Sequence, residues 1–474
     1  WEYISEQITG QDAQIGRFVN IPAFADKQMP IWKNFSPRTS IVYDVFANGK
    51  TAARFGYNRF GVAATTTLAS LYDPAAGTVI NASGNNTATW NDKNGDDIAQ
   101  GFSRCNFASD PACEINFANI PTNFGVISLA QPDPGLKRPY VDQFNVGVTH
   151  ELMRGVSISA EWFHNDAHDI WERNNVLRPG TFSNGTVQNA SFRPVTVFSP
   201  IDGHAITMYD TVSAAVNQLV QNVDSNDPNV KQAYNAFEFN INARLPHGAR
   251  IFGGSATDRT IANTCSAAAT NPNFLNFCDQ TQSGIPWRTQ FKIAGTFPLP
   301  WYGIQVAGSF QALPGYLLGT QALTAGGAGV PNFTSYSGLG STWTVTNATT
   351  YAVCPGSSAS QGCVVGGKVV PGTLFSASLP VPLIPPGTEM TPRVNQLDLS
   401  VSKRITVGRL KFDPKIDVFN ALNSDDYYAV RTTTFTPVSN PALATAFNGS
   451  GGTYLQPSSI LQGRILRIAA VVTW

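Results

Sequence analysis

An acidic stretch in the first quarter of the chain has the residue types and the spacing to bind a divalent cation. Four oxygen-bearing side chains follow one another there much as the ligands of a calcium-binding loop do. They are Asp92, Asn94, Asp96 and Asp97. The bidentate Glu that closes an EF-hand is missing at its usual distance, so an Asx-rich turn without a metal is the alternative interpretation. The sequence leaves both open.

Two other sets of residues could do chemistry only in a favourable context. His164 and His168 are four residues apart and would share one face of a continuous strand, where they could hold a metal or simply line a polar surface. No motif places a Ser, His and Asp set or a pair of carboxylates for acid–base work. The sequence therefore gives no support for an enzyme.

The six cysteines form three close pairs in the sequence. They are Cys105 with Cys113, Cys265 with Cys278, and Cys354 with Cys363. Each pair lies within a single polar segment and none is left over, which predicts three local disulfides in an oxidising compartment. The competing interpretation is a metal site of paired thiols. Its Cys-x-x-Cys spacing is absent, so disulfides are the favoured interpretation.

Composition narrows the class of protein. Asp, Glu, Lys and Arg make up only 13% of the 474 residues, and the 31 basic and 31 acidic residues cancel. A neutral chain with few charges has no electrostatic footprint for nucleic acid. The sequence contains no apolar run long enough for a helical membrane span. Because the chain opens on Trp1 without a signal-peptide pattern, we expect either a cleaved signal or a piece of a longer protein.

The elements that must position these residues follow from a period-two alternation of apolar and polar side chains. It is clearest at the carboxyl end, in Leu466, Ile468, Ala470, Val472 and Trp474. The same alternation recurs in residues 41–45, 53–57, 143–151, 156–162, 237–245, 290–297, 304–311, 394–405 and 408–419. One face of each such strand suits lipid and the other suits water, as in the wall of a membrane β-barrel.

Short and long connections alternate between these strands. The short ones close on Gly49, Gly155, Gly248, Gly303 and Gly408. Together these features predict an all-β fold, a transmembrane antiparallel barrel of about 12 strands with short periplasmic turns and long extracellular loops. The segment Trp1 to Ile8 is expected to be the end of the first strand. Aromatic residues at the membrane interface are expected to include Trp162, Trp301 and Trp474.

Several longer motifs resemble a known family. They are residues 32–38 (WKNFSPR), 43–52 (YDVFANGKTA), 90–96 (WNDKNGD), 138–144 (RPYVDQF) and 417–423 (DVFNALN). Their order and spacing are similar to the C-terminal part of TonB-dependent outer-membrane receptors, in the Oar-like branch with a carboxypeptidase-regulatory-like N-terminal domain. The resemblance implies a 22-stranded barrel around a plug domain, of which these 474 residues would supply about 12 strands.

The resemblance also implies a function and partners. The protein would take up a scarce nutrient through ligand-binding extracellular loops, in the outer membrane, without changing its ligand chemically. Expected partners are the lipid bilayer, the plug and the TonB energy-coupling complex, the barrel-assembly machinery and an unknown small ligand, and no cofactor is expected beyond the possible calcium. One alternative is a barrel that displays its loops as an adhesin or surface structural protein. Another is a soluble β-sandwich or propeller.

Overall fold

The computed structural model shows an all-β protein. It describes the chain except for residues 17–19, 22, 62–68, 70–71, 74–88, 103–104, 117–129, 199–204, 218, 301, 319–324, 327–329, 332–341, 346–362, 366–367, 371–373, 377–378, 432–454 and 474. Helical structure in the described part comprises Ala214–Asn217, 3₁₀ turns at Pro246–Gly248, Cys265–Ala269 and Pro272–Leu275, and the single residues Ala69 and Tyr72. No helix among the described residues has the length and hydropathy to cross a membrane.

Twelve strands form the principal sheet. They are β1 (Arg38–Asp44), β2 (Thr51–Gly61), β3 (Tyr140–Met153), β4 (Val156–His168), β5 (Lys231–Arg244), β6 (Arg250–Asn263), β7 (Arg288–Pro298), β8 (Ile304–Leu313), β9 (Val394–Lys403), β10 (Ile405–Val407), β11 (Leu410–Phe419) and β12 (Ile465–Thr473). From β1 to β9 each strand pairs with the next along the chain, always antiparallel. On one side β11 pairs with β9 and β10, and on the other with β12.

The five predicted glycine turns lie at one edge of this sheet, because successive strands run in opposite directions. The turn glycines all have positive φ, for example +72° at Gly49 and +62° at Gly408. An L-residue rarely adopts this conformation, which explains why the short connections close on glycine. The predicted placement of short turns on one rim and long loops on the other is confirmed for the described residues.

The predicted first strand is the exception. The amino-terminal segment lies outside the principal sheet, since Glu2–Ile4 pairs with Trp32–Asn34 and Gln7–Ile8 pairs with Lys27–Gln28. Between Trp32–Asn34 and β1 lies Pro37, which has no N–H to donate to a ladder. The prediction that Trp1 to Ile8 is the end of a barrel strand is therefore wrong, because this segment does not pair with the principal sheet. The twelfth strand of the sheet is instead the short β10.

Small ladders and three hydrophobic clusters of described residues build the long-loop side. The remaining strands are Gln14–Ile15, Asn20–Ile21, Thr89–Trp90, Ile115–Asn116, Gln131–Pro132, Trp171–Asn175, Thr181–Ser183, Thr186–Gln188, Phe192–Phe198, Ala205–Thr211, Asn222–Asn226, Leu317–Leu318, Ala325–Gly326, Val330–Pro331, Thr342–Val345, Cys363–Val365, Lys368–Val370, Leu379–Pro382, Glu389–Met390, Tyr427–Val430 and Pro457–Ile460. One cluster centres on Met208 and Val381. A second centres on Met29, Trp32 and Trp171, and a third contains Ile170, Val230 and Ala267. The described apolar core thus sits in the loops, while the sheet has two exposed faces.

Candidate functional site

One face of the principal sheet, here called the outward face, is apolar and open. Its rows are set by the register, which places Phe55 beside Val146, Val146 beside Trp162, and Trp162 beside Phe237. Large side chains on this face remain exposed, reaching 77% at Ile468 in β12. An exposed apolar surface of this extent is destabilising in water and suits the hydrocarbon of a bilayer.

The outward face changes character at its long-loop end. Asp142 lies on the same face of β3 as Val146, yet it accepts hydrogen bonds from Arg59 Nε at 2.8 Å and Arg59 Nη2 at 2.9 Å. It also accepts one from Tyr57 Oη at 2.9 Å, and His168 Nε2 lies 3.4 Å from its Oδ2 atom. We call these four residues the outward polar cluster. A paired and hydrogen-bonded charge of this kind marks where the apolar zone ends.

The opposite, inward face is polar and carries ion pairs between neighbouring strands. Arg54 Nη2 lies 3.2 Å from Glu161 Oε2, and Asn145 Nδ2 donates to the other oxygen of Glu161 at 2.9 Å. Farther along the sheet Arg288 Nη2 donates to Asp258 Oδ2 at 3.0 Å. These side chains alternate with the outward apolar rows, so the wall is polar on one side and apolar on the other. This is the arrangement of a barrel with an aqueous interior.

Two carboxyl groups are buried together at the base of the loops. Glu172 and Asp227 are 6% and 9% exposed, and the Asp227 N–H donates to Ile170 O at 2.9 Å. Burial, followed by the hydrogen bond to Asp227 and its negative charge, raises the pKa of Glu172 to about 9. Although burial opposes it, hydrogen bonds led by the one from Glu172 lower the pKa of Asp227. At neutral pH the pair therefore shares a single proton.

A third buried acid at the loop base, Asp224, forms an ion pair with Arg173. Asp224 accepts hydrogen bonds from Arg173 Nε at 2.7 Å and Nη2 at 2.8 Å, and from Tyr72 Oη at 2.8 Å. Burial and the neighbouring Asp224 charge together raise the pKa of Tyr72. These contacts join the strands Trp171–Asn175 and Asn222–Asn226 to each other and to Tyr72, so the loop base is cross-linked by hydrogen bonds.

Two of the three predicted disulfides are confirmed. Cys105 is bonded to Cys113, and Cys265 to Cys278, each within one long connection. Cys363 begins the strand Cys363–Val365, but Cys354 lies outside the described residues, so the third predicted bridge stays a prediction. The confirmed bridges close loops with sequence separations of 8 and 13 residues, which restricts the loop backbone at little entropic cost.

The predicted calcium segment forms a compact turn. Asp92 Oδ1 accepts the backbone N–H of Gly95 at 2.7 Å, and its Oδ2 accepts that of Asp97 at 2.9 Å. These bonds, with that of Asp97 the strongest, hold the pKa of Asp92 below its usual value. Among the described acidic side chains, the fold brings together Asp92, Asp96 and Glu114, with ligand atoms within 4.8 Å of one another.

Glu114, which directly follows the disulfide-bonded Cys113, adds its carboxylate to the acidic turn. Glu114 is 1% exposed, and it accepts hydrogen bonds from the Lys93 N–H at 2.9 Å and from Trp90 Nε1 at 3.3 Å. Its own bonds thus account for its burial without a metal. The side chain of Asn94 bonds to Asp96 at 3.0 Å, and Asp97 contributes no carboxylate to the group. A calcium site at these residues stays a prediction.

The match to a protein-family model decides the class of the chain. Residues 16–464 match the model of the outer membrane beta barrel domain. The chain belongs to this family. No curated protein sequence matches it. As a member of the outer membrane beta barrel family the protein is located in the outer membrane, and its outward apolar face is the surface that lies against lipid.

Solved structures resemble this outer membrane barrel chain only distantly. The outer membrane transporter YddB from Escherichia coli is 11% identical, with a TM-score of 0.39, and the match covers 93% of this chain and 40% of that one. The pyoverdine receptor FpvA from Pseudomonas aeruginosa is 10% identical, with a TM-score of 0.38, and the match covers 95% of this chain and 36% of that one. The FrpB iron transporter from Neisseria meningitidis is 7% identical, with a TM-score of 0.38, and the match covers 94% of this chain and 40% of that one. The chain therefore spans 40% or less of the length of each.

The predicted interface aromatics can be followed only in part. Trp162 lies on the outward face of the barrel wall and stacks on His164, with ring centroids 5.7 Å apart. It stands where the apolar rows give way to polar ones. Trp301 and Trp474 lie outside the described residues. His164 also bonds to Asn235 Oδ1 at 2.9 Å, whereas His168 lies beside Asp142, so the two predicted histidines have separate partners.

Three arrangements in this barrel domain are absent from the sequence-based predictions. Arg59 and Asp142, Glu172 and Asp227, and the addition of Glu114 to the Asp92 turn all join residues distant in sequence. The position of Glu114 directly after Cys113 was the one local signal, since a disulfide holds the following residue in place. The other two pairs carry no such signal.

Proposed function

We propose that the protein is the C-terminal part of a TonB-dependent receptor barrel that takes up a scarce nutrient. The observation that carries this proposal is the open principal sheet, apolar on one face and charged on the other. In the described part of the chain β1 has no ladder partner beyond β2, and β12 has none beyond β11. The family-like motifs at residues 32–38, 90–96 and 417–423 support the same assignment.

The two sheet edges argue for further strands. An unpaired N–H or C=O group in hydrocarbon costs several kcal/mol, so a membrane sheet must close. We infer that about ten strands supplied from outside these 474 residues pair with both edges, giving a 22-stranded barrel. The ion pairs of the inward face, such as Arg54–Glu161, then line a lumen wide enough for a plug domain.

The remaining partners follow from this architecture. The plug would engage the TonB energy-coupling complex, and the barrel-assembly machinery would insert the strands. The loops would bind the ligand, and plug movement would release it without chemistry on the ligand. The hydrogen-bonded loop base around Glu172 and Asp224 supports this role, because a binding site needs fixed walls.

The test is genetic and needs no knowledge of the nutrient. In the native host, deletion of the gene should cause a growth defect on minimal medium. A tonB deletion should cause the same defect, and the double deletion should grow no worse than the tonB deletion alone. Additive defects would contradict the proposal. In parallel, the 474-residue segment alone should not form a stable ion-conducting pore in planar bilayers, whereas the full-length protein should fold into a closed barrel.

A second candidate is a barrel that displays its loops as an adhesin or surface structural protein. The disulfides Cys105–Cys113 and Cys265–Cys278 favour it, since display requires rigid loops. A display protein should work without TonB. Loss of cell attachment in the gene deletion, with attachment intact in the tonB deletion, would establish this alternative.

A further inference from the structure

A polar cavity lies among the long loops, at the loop end of β6. It has a volume of about 670 Å³, within the range of small-molecule sites. The tip of the hairpin formed by Thr181–Ser183 and Thr186–Gln188 forms one wall, and the segment around the Cys265–Cys278 disulfide forms the other. Asn229 lines it from the loop base, two residues after Asp227.

The walls of this cavity are held in place by covalent and hydrogen bonds. Cys265 and Cys278 both line it and are joined to each other. Asn189, just beyond the hairpin, donates from Nδ2 to Ala269 O at 2.9 Å and to Arg178 O at 3.0 Å. At Gly180 a Cβ atom would stand 2.1 Å from Ala269 O, so only glycine allows this approach. The hairpin is therefore fastened to the disulfide segment.

The lining has a distinct chemistry. It combines amide and hydroxyl side chains with two aromatic rings, those of Phe182 and Phe277. The polar members are Ser183, Asn184, Asn229, Asn263, Ser266, Gln282 and Ser283. None of the described lining residues is Lys, Arg or His. The one carboxylate, Asp279, already accepts hydrogen bonds from the Thr281 N–H at 3.0 Å and Thr281 Oγ1 at 2.6 Å.

We propose that this cavity binds a neutral oligosaccharide. Amides and hydroxyls pair with sugar hydroxyls as both donors and acceptors, and the aromatic rings can cover the C–H face of a pyranose. An anionic ligand would find no cation among the described lining residues. The assignment of an oligosaccharide as the transported substrate rests on the proposed receptor function. Oligosaccharide binding itself can be measured without transport.

The test is isothermal titration of the purified full-length protein in detergent. The probes are neutral pentasaccharides of α-glucan, β-glucan, xylan and mannan, with pentagalacturonate as the acidic control of equal length. We expect at least one neutral probe to bind and pentagalacturonate to bind at least tenfold more weakly. Failure of every neutral probe at millimolar concentration, or equal binding of the acidic control, would overturn the proposal.

Variants of the exposed hairpin locate the site. Phe182→Ala and Asn184→Ala should each weaken binding about five- to tenfold, the loss of one aromatic or hydrogen-bonding contact. Thr186→Ala, in the same hairpin but outside the lining, should bind as the wild type does. Binding unaffected by both lining variants would place the glycan elsewhere and refute this site.

The two proposals fail separately. TonB-dependent growth without glycan binding would overturn only the oligosaccharide assignment. Glycan binding by a protein whose loss is additive with tonB deletion would overturn only the receptor function.

Discussion

Arg467 in β12 donates two hydrogen bonds to Oδ2 of Asp417 in β11, from Nε at 2.9 Å and from Nη2 at 2.6 Å. The two residues are register partners on the inward face, and Lys415 Nζ lies 3.0 Å from the other carboxylate oxygen. Asp417 itself is only 3% exposed. This pair joins the final strand of the sheet to its neighbour.

Asp417→Asn should lower the free energy of unfolding of the barrel by about 1–3 kcal/mol, because charge-assisted hydrogen bonds are lost and Arg467 keeps an unpaired charge. Urea titration followed by heat-modifiable gel migration measures the change. Asp413→Asn is the matched control in the same strand. Asp413 is more exposed than Asp417, so the cost should stay below about 1 kcal/mol. Equal costs would contradict the role of burial.

Val401→Arg should reduce the amount of folded protein in the outer membrane. Val401 lies on the outward face in register with Val306 and Ile416, where a charge costs about 2–4 kcal/mol at the bilayer midplane. Gln305→Arg places the same side chain on the inward face, next to Val306, and should fold normally. Quantifying heat-modifiable protein in membrane fractions compares them. Equal yields would refute the assignment of faces.

Glu172→Gln should remove a pH dependence from the loop base. The raised pKa of Glu172 means that its contribution to stability is full below the ordinary value of 4.5 and is lost as pH rises towards about 9. Over this range the unfolded chain releases a proton that the folded state retains. Hydrogen exchange of the Asp227 amide, corrected for its intrinsic rate, should therefore lose protection from pH 5 to 9 in the wild type and stay level in the variant.

A control separates this pair from general alkaline effects. The exposed Glu389→Gln should keep the wild-type pH dependence. Identical profiles in the wild type and Glu172→Gln would rule out the shared proton.

Peptide mapping under non-reducing conditions should find three bridges, each within one connection, because near neighbours close the shortest loops. A bridge between different loops would contradict this. Replacing Cys265 and Cys278 together by Ser should speed proteolysis between residues 264 and 283, since a bridge over a short loop contributes about 3 kcal/mol. The Cys105 and Cys113 double variant is the control, and it should leave that segment as resistant as in the wild type.

The orientation of the sheet can be tested by labelling intact cells. Asn184→Cys lies in an exposed loop hairpin and should react with a membrane-impermeant maleimide. Asn48→Cys lies in the glycine turn at the opposite rim and should react only after the outer membrane is opened. The reverse pattern would show that the turns face outward.

Much of the wall could be predicted from sequence. Leu410, Phe412 and Ile416 alternate with polar residues, and the structure pairs Phe412 with Val472 and Ile416 with Ile468 in one outward row. The turn at Gly408 could be predicted as well, because its positive φ requires glycine. The loop base could not, since Glu172 and Asp227 are 55 positions apart and neither lies in a motif.

The outward polar cluster shows where the period-two rule stops being sufficient. Asp142 has the same parity as Phe144 and Val146, so the alternation places a charge on the lipid side. The structure resolves this conflict by setting Arg59 directly opposite Asp142 in the register, although the two are 83 residues apart. The strand thus continues beyond the apolar rows to Tyr140.

By itself the sequence determined the strands, their two faces and the tight turns, because the pleat and the φ angle of glycine act within a few residues. The tertiary structure alone decided the register between strands, which acids meet a base, and that a hairpin and a disulfide loop form two walls of a polar cavity. Those outcomes depend on register and on packing between distant segments, where many pairings satisfy the same local pattern and only the complete fold selects one.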